Sequence, residues 1–305
     1  MSSIPEYTFM IRNPVKKEFW GKRNYILLKT ALILLLCSTT LISLMVGRFD
    51  VPPFDVISAI FSGFIPSPDL SPTVRSVIVD VRLPRVIAVI LVGAALSVAG
   101  AAFQGLFRNP LVSPDILGVS AGAGFGAALA LLLTENIFIT QSFAFLFGLI
   151  AVVLAYMISR VYRVSTTLTL VLAGIVVAAL FQALTSLVKY VADPLNKLPA
   201  IVFWLMGSFN HISNSDLMVA GPLLLGGMLI LYLVRWRINV LSMGEEDARA
   251  LGVDIRQQKA IIIISATVIS AAAVSICGIV GWIGLVIPHV GRILVGVIVF
   301  LFLLV

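Results

Sequence analysis

The stretch GVSAGAGFGAALA, at residues 118–130, decides between two folds, because four glycines stand in it among small residues. A glycine-rich turn can hold phosphates, but a P-loop needs a preceding strand and a following Lys-Ser or Lys-Thr. Neither is present, and no lysine lies between Lys29 and Lys189. The alternative is a membrane helix whose small residues let neighbouring helices approach closely. This alternative predicts helix-packing positions at Gly118, Gly122, Gly124 and Gly126.

The composition of the whole chain favours the membrane helix. Of the 305 residues, 60% are hydrophobic and 11% are charged, and the mean hydropathy is +1.11. A soluble globular domain has nearer a quarter of charged residues. About 20 apolar residues cross a bilayer core of roughly 30 Å, so the sequence predicts an all-α fold, a polytopic membrane helical bundle. Eight spans are expected, near residues 26–46, 86–106, 116–134, 138–159, 166–188, 216–234, 260–279 and 282–300.

Basic residues predict the orientation, because cytoplasmic loops are enriched in lysine and arginine. The basic segment 1–25 is assigned to the cytoplasm, and residues 26–305 to a multi-pass domain in the plasma or inner membrane. Arg108 and the basic residues of 235–259 then face the cytoplasm as well. The pI near 9.7 is explained by this topology and by anionic lipid, with no indication of nucleic acid. The first outer loop is the exception, since it contains Arg48, Arg75, Arg82 and Arg85.

The predicted spans lack the residues of ion coupling and catalysis, since none has an aspartate or glutamate in its middle. Ion-driven carriers usually need such groups, and an enzyme needs a cluster of acids, bases or metal ligands. The energy for uphill transport must then come from another subunit. Cys37 and Cys277 lie in predicted spans, where buried packing is expected. His211 and His289 stand in no ligand-spaced motif, so no catalytic, metal or cofactor site is predicted.

A short internal repeat suggests duplicated architecture. Residues 94–100 read AALSVAG and residues 272–278 read AAVSICG, in predicted spans two and seven. Spans an odd number of helices apart run in opposite directions, and inverted repeats are common in transporters. A repeat unit of spans two to five would need a partner of spans seven to ten, whereas this chain offers only eight spans.

The loop after the sixth predicted span contains the densest charge cluster beyond the N-terminus, MGEEDARALGV at residues 243–253. Acidic residues at the start and Gly252 at the end predict a short capped helix. Two interpretations remain open for it on spacing alone. It is either a solvated loop helix that holds topology or a docking site for the energising subunit.

Four motifs resemble the FecCD family of ABC-importer permeases, in the family's order. They are RLPR at 82–85, VGAALSVAGAAFQGLFRNPLVSPDILGVSAGAG at 92–124, MGEEDARALGV at 243–253 and GWIGLVIPHVGR at 281–292. The similarity runs from about residue 25 to residue 296. The family imports ferric siderophores, haem, cobalamin and, in some members, molybdate. The spacing from Glu246 to Gly252 also matches the Glu-Ala-Ala-x3-Gly signature of ABC permeases, with Asp247 in place of the first alanine.

The resemblance implies the inverted-repeat type II importer fold and a set of partners. These are a second permease copy or paralogue, two cytoplasmic ATPases that carry ATP and Mg, and an extracytoplasmic substrate-binding protein. The transport path would be lined partly by the fifth span, 166–188. The resemblance places binding-protein docking on Arg82 and Arg85, whose guanidinium groups are then expected to project into the outer aqueous layer. The alternative is that both are ordinary interface anchors at a helix end. The resemblance places ATPase coupling on Gly244, Glu245, Glu246, Asp247, Ala248, Arg249, Leu251 and Gly252.

The end of the chain departs from the family pattern, which has ten spans. Here Gly296 is followed by VIVFLFLLV, without the polar turn and two further spans. An apolar end without stop charges favours truncation or frameshift over a short variant. The leading interpretation is a permease subunit for iron-siderophore, haem or cobalamin uptake, without catalytic residues. A molybdate permease is the alternative, followed by an ion-coupled carrier and by a structural or assembly protein.

Overall fold

The computed structural model describes residues 22–62, 70–161 and 167–295, and its regular secondary structure in these ranges is entirely helical. A π turn (Val77–Arg82) leads without a break into the fourth helix, and a 3-10 turn (Pro114–Leu117) precedes the fifth. Most of the predicted N-terminal segment, residues 1–25, lies outside the described ranges. The helices are α1 (Lys22–Met45), α2 (Pro53–Phe61), α3 (Pro72–Ser76), α4 (Leu83–Leu106), α5 (Val119–Leu133), α6 (Ile137–Val161), α7 (Thr167–Val191), α8 (Lys197–Met206), α9 (Asn214–Leu233), α10 (Arg235–Met243), α11 (Glu245–Ala250), α12 (Ile255–Cys277) and α13 (Ile283–Val295).

Six helices in the described ranges are long and apolar enough to cross a membrane, so the chain is a multi-pass membrane protein. They are Ile26–Met45, Pro72–Leu106, Ile137–Arg160, Thr167–Val191, Asn214–Leu233 and Ile255–Cys277. The prediction of eight spans is therefore not confirmed. The predicted third span is the 15-residue α5, about 22 Å long at 1.5 Å per residue. The predicted eighth span corresponds to α13 up to residue 295, and its remainder lies outside the described residues.

The third span is short because the chain before it is not α-helical. Pro114 starts the 3-10 turn, and Gly118 follows it with a φ of +84°, a left-handed conformation that favours glycine. Helical geometry begins only at Val119 and ends at Leu133, before the extended Thr134. Gly118 therefore sets where α5 starts, a role that its prediction as a packing position did not include.

Two other glycines of this stretch hold α5 against α6. A Cβ added at Gly122 would lie 2.4 Å from the carbonyl oxygen of Phe147, and one at Gly126 would lie 2.3 Å from that of Phe143. Backbone atoms cannot move aside as a flexible side chain can. At this helix separation both positions therefore require glycine. Gly124 faces elsewhere, with a side-chain carbon of Leu205 3.0 Å from its added Cβ.

Helices α4 and α12 form the centre of the bundle. In their most apolar 18-residue windows 61% and 72% of the residues are buried, against 0–33% for the other four long helices. Small side chains such as Ala99 and Ala266 build the buried faces. A Cβ on Gly100 would lie 1.7 Å from the carbonyl oxygen of Gly284, so α4 and α13 cross with their backbones in contact. The packing is therefore that of membrane helices that approach through small residues.

The short sequence repeat does not have matching local structure at its last residue. Gly100 lies inside α4, whereas Gly278 ends α12 with a φ of +73°. A Cβ at Gly278 would lie 2.4 Å from the carbonyl oxygen of Trp204, so the chain turns there against α8. Tertiary contact with α8 distinguishes two segments that are similar in sequence.

Helix α1 lies largely apart from the bundle, since none of its most apolar window is buried. It joins the protein at its C-terminal end, through Leu44 in a small cluster with Val56 and Ile78. Cys37 is exposed, so the prediction of buried packing for it is wrong. The reason is the scarcity of partners around α1 within this chain. Cys277 is buried as predicted.

Candidate functional site

The charged loop after α9 folds into two short helices. Helix α10 ends at Met243 because Gly244 adopts a φ of +153°, and α11 occupies Glu245–Ala250. Gly252 follows with a φ of +75°, and the Asp254 carboxylate then caps α12 by accepting a 3.0 Å hydrogen bond from the backbone N–H of Gln257. The short helix predicted from residues 243–253 is therefore confirmed. Its acidic residues lie at the positive end of the helix dipole.

Helix α11 has an inner and an outer face. Ala248 is completely buried and belongs to the main hydrophobic core, together with Ile238 and Leu241 of α10. Glu246, Asp247, Arg249 and Leu251 are exposed, and Leu251 shows 56% of its surface. The helix is thus anchored on one side and offers a mixed charged and apolar surface on the other. Such a surface fits a protein partner.

Glu245 lies at the edge of the inner face and accepts two charged hydrogen bonds. Its Oε1 receives one from Lys259 Nζ of α12 at 2.6 Å, and its Oε2 receives one from Arg249 at 3.4 Å. The hydrogen bond from Lys259, together with the charges of Lys259, Arg249 and Arg108, holds the pKa of the Glu245 carboxyl below its ordinary value, although partial burial opposes the shift. The carboxylate is therefore ionised wherever the protein works near neutral pH.

The C-terminal end of α4 meets the same region. A Cβ at Gly105 would lie 2.8 Å from a methyl carbon of Ile238, so α4 ends against α10. Arg108 follows with a φ of +50°, and one of its guanidinium nitrogens would lie 3.9 Å from a Cβ at Gly244. The loop helices thus contact the ends of α4 and α12, the two most buried long helices of the described chain.

At the opposite end of α4, the Arg82 guanidinium is bonded within the chain. It donates hydrogen bonds to the carbonyl oxygens of Leu44 at 2.6 Å and Met45 at 2.9 Å, and a further one to Phe49. The prediction that this side chain projects into the outer aqueous layer is therefore wrong. The carbonyls of Leu44 and Met45 have no N–H partner within α1 because the helix ends there, and Arg82 bonds both; Met45 also accepts from the backbone N–H of Val51 at 3.2 Å.

Pro84 explains the local geometry before α4. Its ring and its missing N–H disturb the hydrogen bond to the carbonyl four residues earlier. The chain responds with the π turn, in which Leu83 N–H donates to Ile78 five residues back. Arg85 follows in the first turn of α4, half-buried, and its buried Nε has no hydrogen-bond partner. The two arginines of this motif therefore occupy different environments.

Several contacts near the ends of the helices were not predicted. Asp216 forms a capping box with Ser213 at the start of α9 and accepts a 2.8 Å hydrogen bond from Gln141 of α6. Glu135 lies 3.7 Å from Lys197 of α8. The Ser-x-x-Asp spacing signals the cap in the sequence. The pairs Glu135–Lys197 and Gln141–Asp216 have no such signal, because their members are 62 and 75 residues apart in the chain.

A further polar contact joins α4 to α13. Gln104 is almost fully buried, and its Nε2 donates to the carbonyl oxygen of Leu285 at 3.1 Å while its Oε1 accepts from Arg292. Gln104 and Arg292 both belong to the motifs quoted above, yet the sequence did not indicate that they meet. In residues 22–62, 70–161 and 167–295, no three His, Cys, Asp or Glu side chains are placed to hold a metal ion.

Comparison with known proteins places these features in a family. The sequence model of the FecCD transport family matches residues 33–305. The chain is 40% identical to the molybdate import system permease protein MolB of Haemophilus influenzae over 267 residues, 87% of this chain and 78% of that protein. It is also 40% identical to the "Probable iron chelatin transport system permease protein" of Helicobacter pylori strain 26695, over 76% of this chain and 70% of that protein.

A solved structure is similar over most of the fold. It is an ABC transporter assigned to the metal-chelate type, in an inward-facing conformation. The TM-score is 0.79 at 36% sequence identity, with 91% of this chain and 85% of that chain covered. The likeness therefore extends over nearly the whole chain, well beyond the four sequence motifs.

Proposed function

This chain belongs to the FecCD transport family, and on that premise we propose that it is the transmembrane permease subunit of an ATP-binding-cassette importer. The observation that carries the proposal is α11, a short charged helix anchored by buried Ala248 with its other face open. The helix lies against the start of α12 and against α10, which in turn contacts the end of α4, so force applied to it reaches the centre of the bundle. Its position suits a coupling element.

ATP hydrolysis belongs, on this proposal, to separate cytoplasmic ATPase subunits that hold ATP and Mg. Glu246, Asp247, Arg249 and Leu251 would contact the ATPase, since they form the open face of α11. Glu245 and Ala248 face the protein itself and would support that surface. The permease then needs no catalytic residue or cofactor of its own. On this proposal, α11 and residues 1–25 lie on the cytoplasmic side of the membrane.

The cargo is a metal chelate on this proposal, such as an iron-siderophore complex, haem or cobalamin. Both the iron chelatin permease and the metal-chelate transporter structure support that class. Molybdate is the second candidate, because MolB matches over 267 residues at 40% identity.

The outer docking contact falls to Arg85 on this proposal, with Arg82 in a supporting role. Arg82 is occupied by the carbonyls at the end of α1, whereas Arg85 is half-exposed in the next turn. A guanidinium there can pair with an acidic residue of a substrate-binding protein. The hydrogen bonds of Arg82 keep the α1 end and the start of α4 together, which fixes the position of Arg85.

A second permease copy completes the proposed assembly. Helix α7 exposes large apolar side chains along much of its length, and only 33% of its most apolar window is buried in the chain. These side chains suit both a second copy and lipid. The exposed members include Leu168, Leu172, Val176, Leu180 and Leu187.

Reconstitution tests the proposal. The permease is combined with its cognate ATPase and binding protein in proteoliposomes, and uptake of radiolabelled ferric chelate, cobalamin and molybdate is measured. We expect uptake that requires ATP and the ATPase, and that is insensitive to proton or sodium ionophores. Uptake that persists without the ATPase and collapses with the ionophore would assign the protein to ion-coupled carriers.

A further inference from the structure

We propose that the Glu245–Lys259 ion pair is the joint that transmits ATPase movement from α11 to α12. The inference rests on the proposed function and assigns a specific task to residues at the coupling element. Glu245 belongs to the first turn of α11, and Lys259 lies 14 residues further along the chain in the second turn of α12. Their 2.6 Å contact bridges the loop that separates the two helices.

Partial burial of both side chains strengthens this contact. The side chains of Lys259 and Glu245 are only 24% and 37% exposed, so water competes less for them than at an open surface. The second bond of Glu245, to Arg249, is longer at 3.4 Å and joins two residues of the same helix. That bond can stabilise α11 but cannot join it to another element. Only Lys259 among the residues bonded to Glu245 belongs to a long apolar helix.

Helix α12 can pass a displacement on because it is the most buried of the long helices, with 72% of its most apolar window enclosed. Gln258, beside Lys259, is 3% exposed and lies at the edge of the core. Further along the helix, Ile262 and Ile269 are completely buried. Since close-packed interiors deform little, a movement at the Lys259 end shifts α12 as a body.

Helix α11 then has two separate tasks, ATPase binding and transmission of movement to α12, and different residues perform them. Exposed Glu246 belongs to the face that meets the ATPase, whereas Glu245 faces α12. Loss of Glu246 should weaken ATPase association. Loss of the Glu245–Lys259 pair should leave the ATPase bound and reduce the transport obtained per ATP hydrolysed. Glu245 and Lys259 are therefore positioning residues that act through α12, whereas Glu246 contacts the ATPase directly.

A charge-swap series in the reconstituted complex tests the joint. The variants are Glu245→Lys, Lys259→Glu and the double swap, with Glu245→Gln as a milder single change. For each complex we measure ATPase affinity, ATP hydrolysis and cargo uptake. The single variants are expected to lower uptake per ATP about tenfold while ATPase affinity changes less than about threefold. The swap should restore part of the loss, since Arg249 and Arg108 remain near position 245 as like charges. Arg256→Glu, a reversal at an exposed position on the same helix, is the matched control and should keep wild-type coupling.

Other outcomes overturn the inference. Normal uptake per ATP in Glu245→Gln and Lys259→Glu would show that the pair transmits nothing. Failure of the swap to restore coupling, or an equal loss in Arg256→Glu, would reduce the effect to general charge or folding. If the wild-type complex shows no ATP-dependent uptake, the proposed function itself fails. If instead the wild-type complex is active and the variants keep its uptake per ATP, only the inference about the Glu245–Lys259 pair fails.

Discussion

The guanidinium of Arg82 donates a 2.6 Å hydrogen bond to the carbonyl oxygen of Leu44, and this contact ties the C-terminal end of α1 to the start of α4. Helix α1 makes few other contacts within the described chain, since no residue in its most apolar 18-residue stretch is buried. Arg82 and Arg85 are thereby separated into an internal anchor and an available cation. Substitution of Arg82 is therefore expected to affect stability, and substitution of Arg85 is expected to affect docking.

Replacement of Arg82 is expected to destabilise the protein. Arg82→Ala removes the guanidinium donor from the carbonyls of Leu44, Met45 and Phe49, of which Met45 keeps the backbone bond from Val51, and the loss should cost about 1–3 kcal/mol. Arg82→Lys should cost less, because an ammonium can reach one or two carbonyls but not all three. Thermal unfolding of the purified permease in detergent measures the loss, with Arg85→Ala as the control. Equal melting temperatures for Arg82→Ala and wild type would contradict the anchor.

Charge reversal at Arg85 should weaken docking of the binding protein without unfolding the permease. Arg85→Glu places a like charge opposite an acidic docking face, and the wild-type contact should itself weaken as salt rises. Binding-protein affinity is measured by surface plasmon resonance at low and high salt, with ATPase association as the control. A basic substitution at the acidic partner residue should restore docking. Unchanged affinity at low salt would make Arg85 a membrane-interface residue only.

Larger side chains at Gly122 and Gly126 should force α5 away from α6. A Cβ at these positions already overlaps carbonyl oxygens at 2.4 and 2.3 Å, so Gly122→Leu or Gly126→Leu should destabilise the fold by about 1–3 kcal/mol or more. Gly226→Ala in α9 is the matched control, because nothing lies within 4 Å of its added Cβ. Unfolding temperatures and the yield of monodisperse protein report the effect. Tolerance of leucine at both positions would contradict the close approach.

Substitution on the outer face of α11 should weaken ATPase association. Glu246→Ala together with Arg249→Ala removes two exposed charges and leaves buried Ala248 in place. Co-purification of the ATPase with the double variant measures the loss, and the unfolding temperature serves as the folding control. Undiminished ATPase binding with intact uptake would remove this face from the interface.

The Glu245 carboxylate predicts a pH dependence of stability. Its pKa is lowered in the folded chain, chiefly by the hydrogen bond from Lys259. The stabilisation is therefore fully present above the unfolded-state pKa and is lost as the pH falls through the folded-state pKa. The difference in melting temperature between wild type and Glu245→Gln should stay constant from about pH 8 to about pH 5 and decline only below about pH 4.5. A difference that changes between about pH 8 and about pH 6 would point to another group.

Composition and local spacing were enough to predict the membrane class and the short helix of the charged loop. Apolar runs long enough to cross a bilayer are a property of contiguous sequence, and so is the acidic start of α11. The same local reasoning placed the third span too early. It did not recognise that Pro114 and the left-handed Gly118 delay the start of α5 to Val119.

The sequence by itself thus determined a polytopic helical protein of the FecCD type, and local motifs marked the charged loop and the two arginines before α4 as candidate sites. Only the tertiary structure decided what those residues contact. Arg82 meets Leu44 from 38 residues away, and Gln104 meets Arg292 from 188 residues away. Exposure was decided in the same way, since Cys37 and Cys277 both lie in apolar helices, yet only Cys277 is enclosed by neighbours. The physical reason is that helix formation and membrane insertion depend on neighbours along the chain, whereas burial and hydrogen-bond pairing depend on which helices pack side by side.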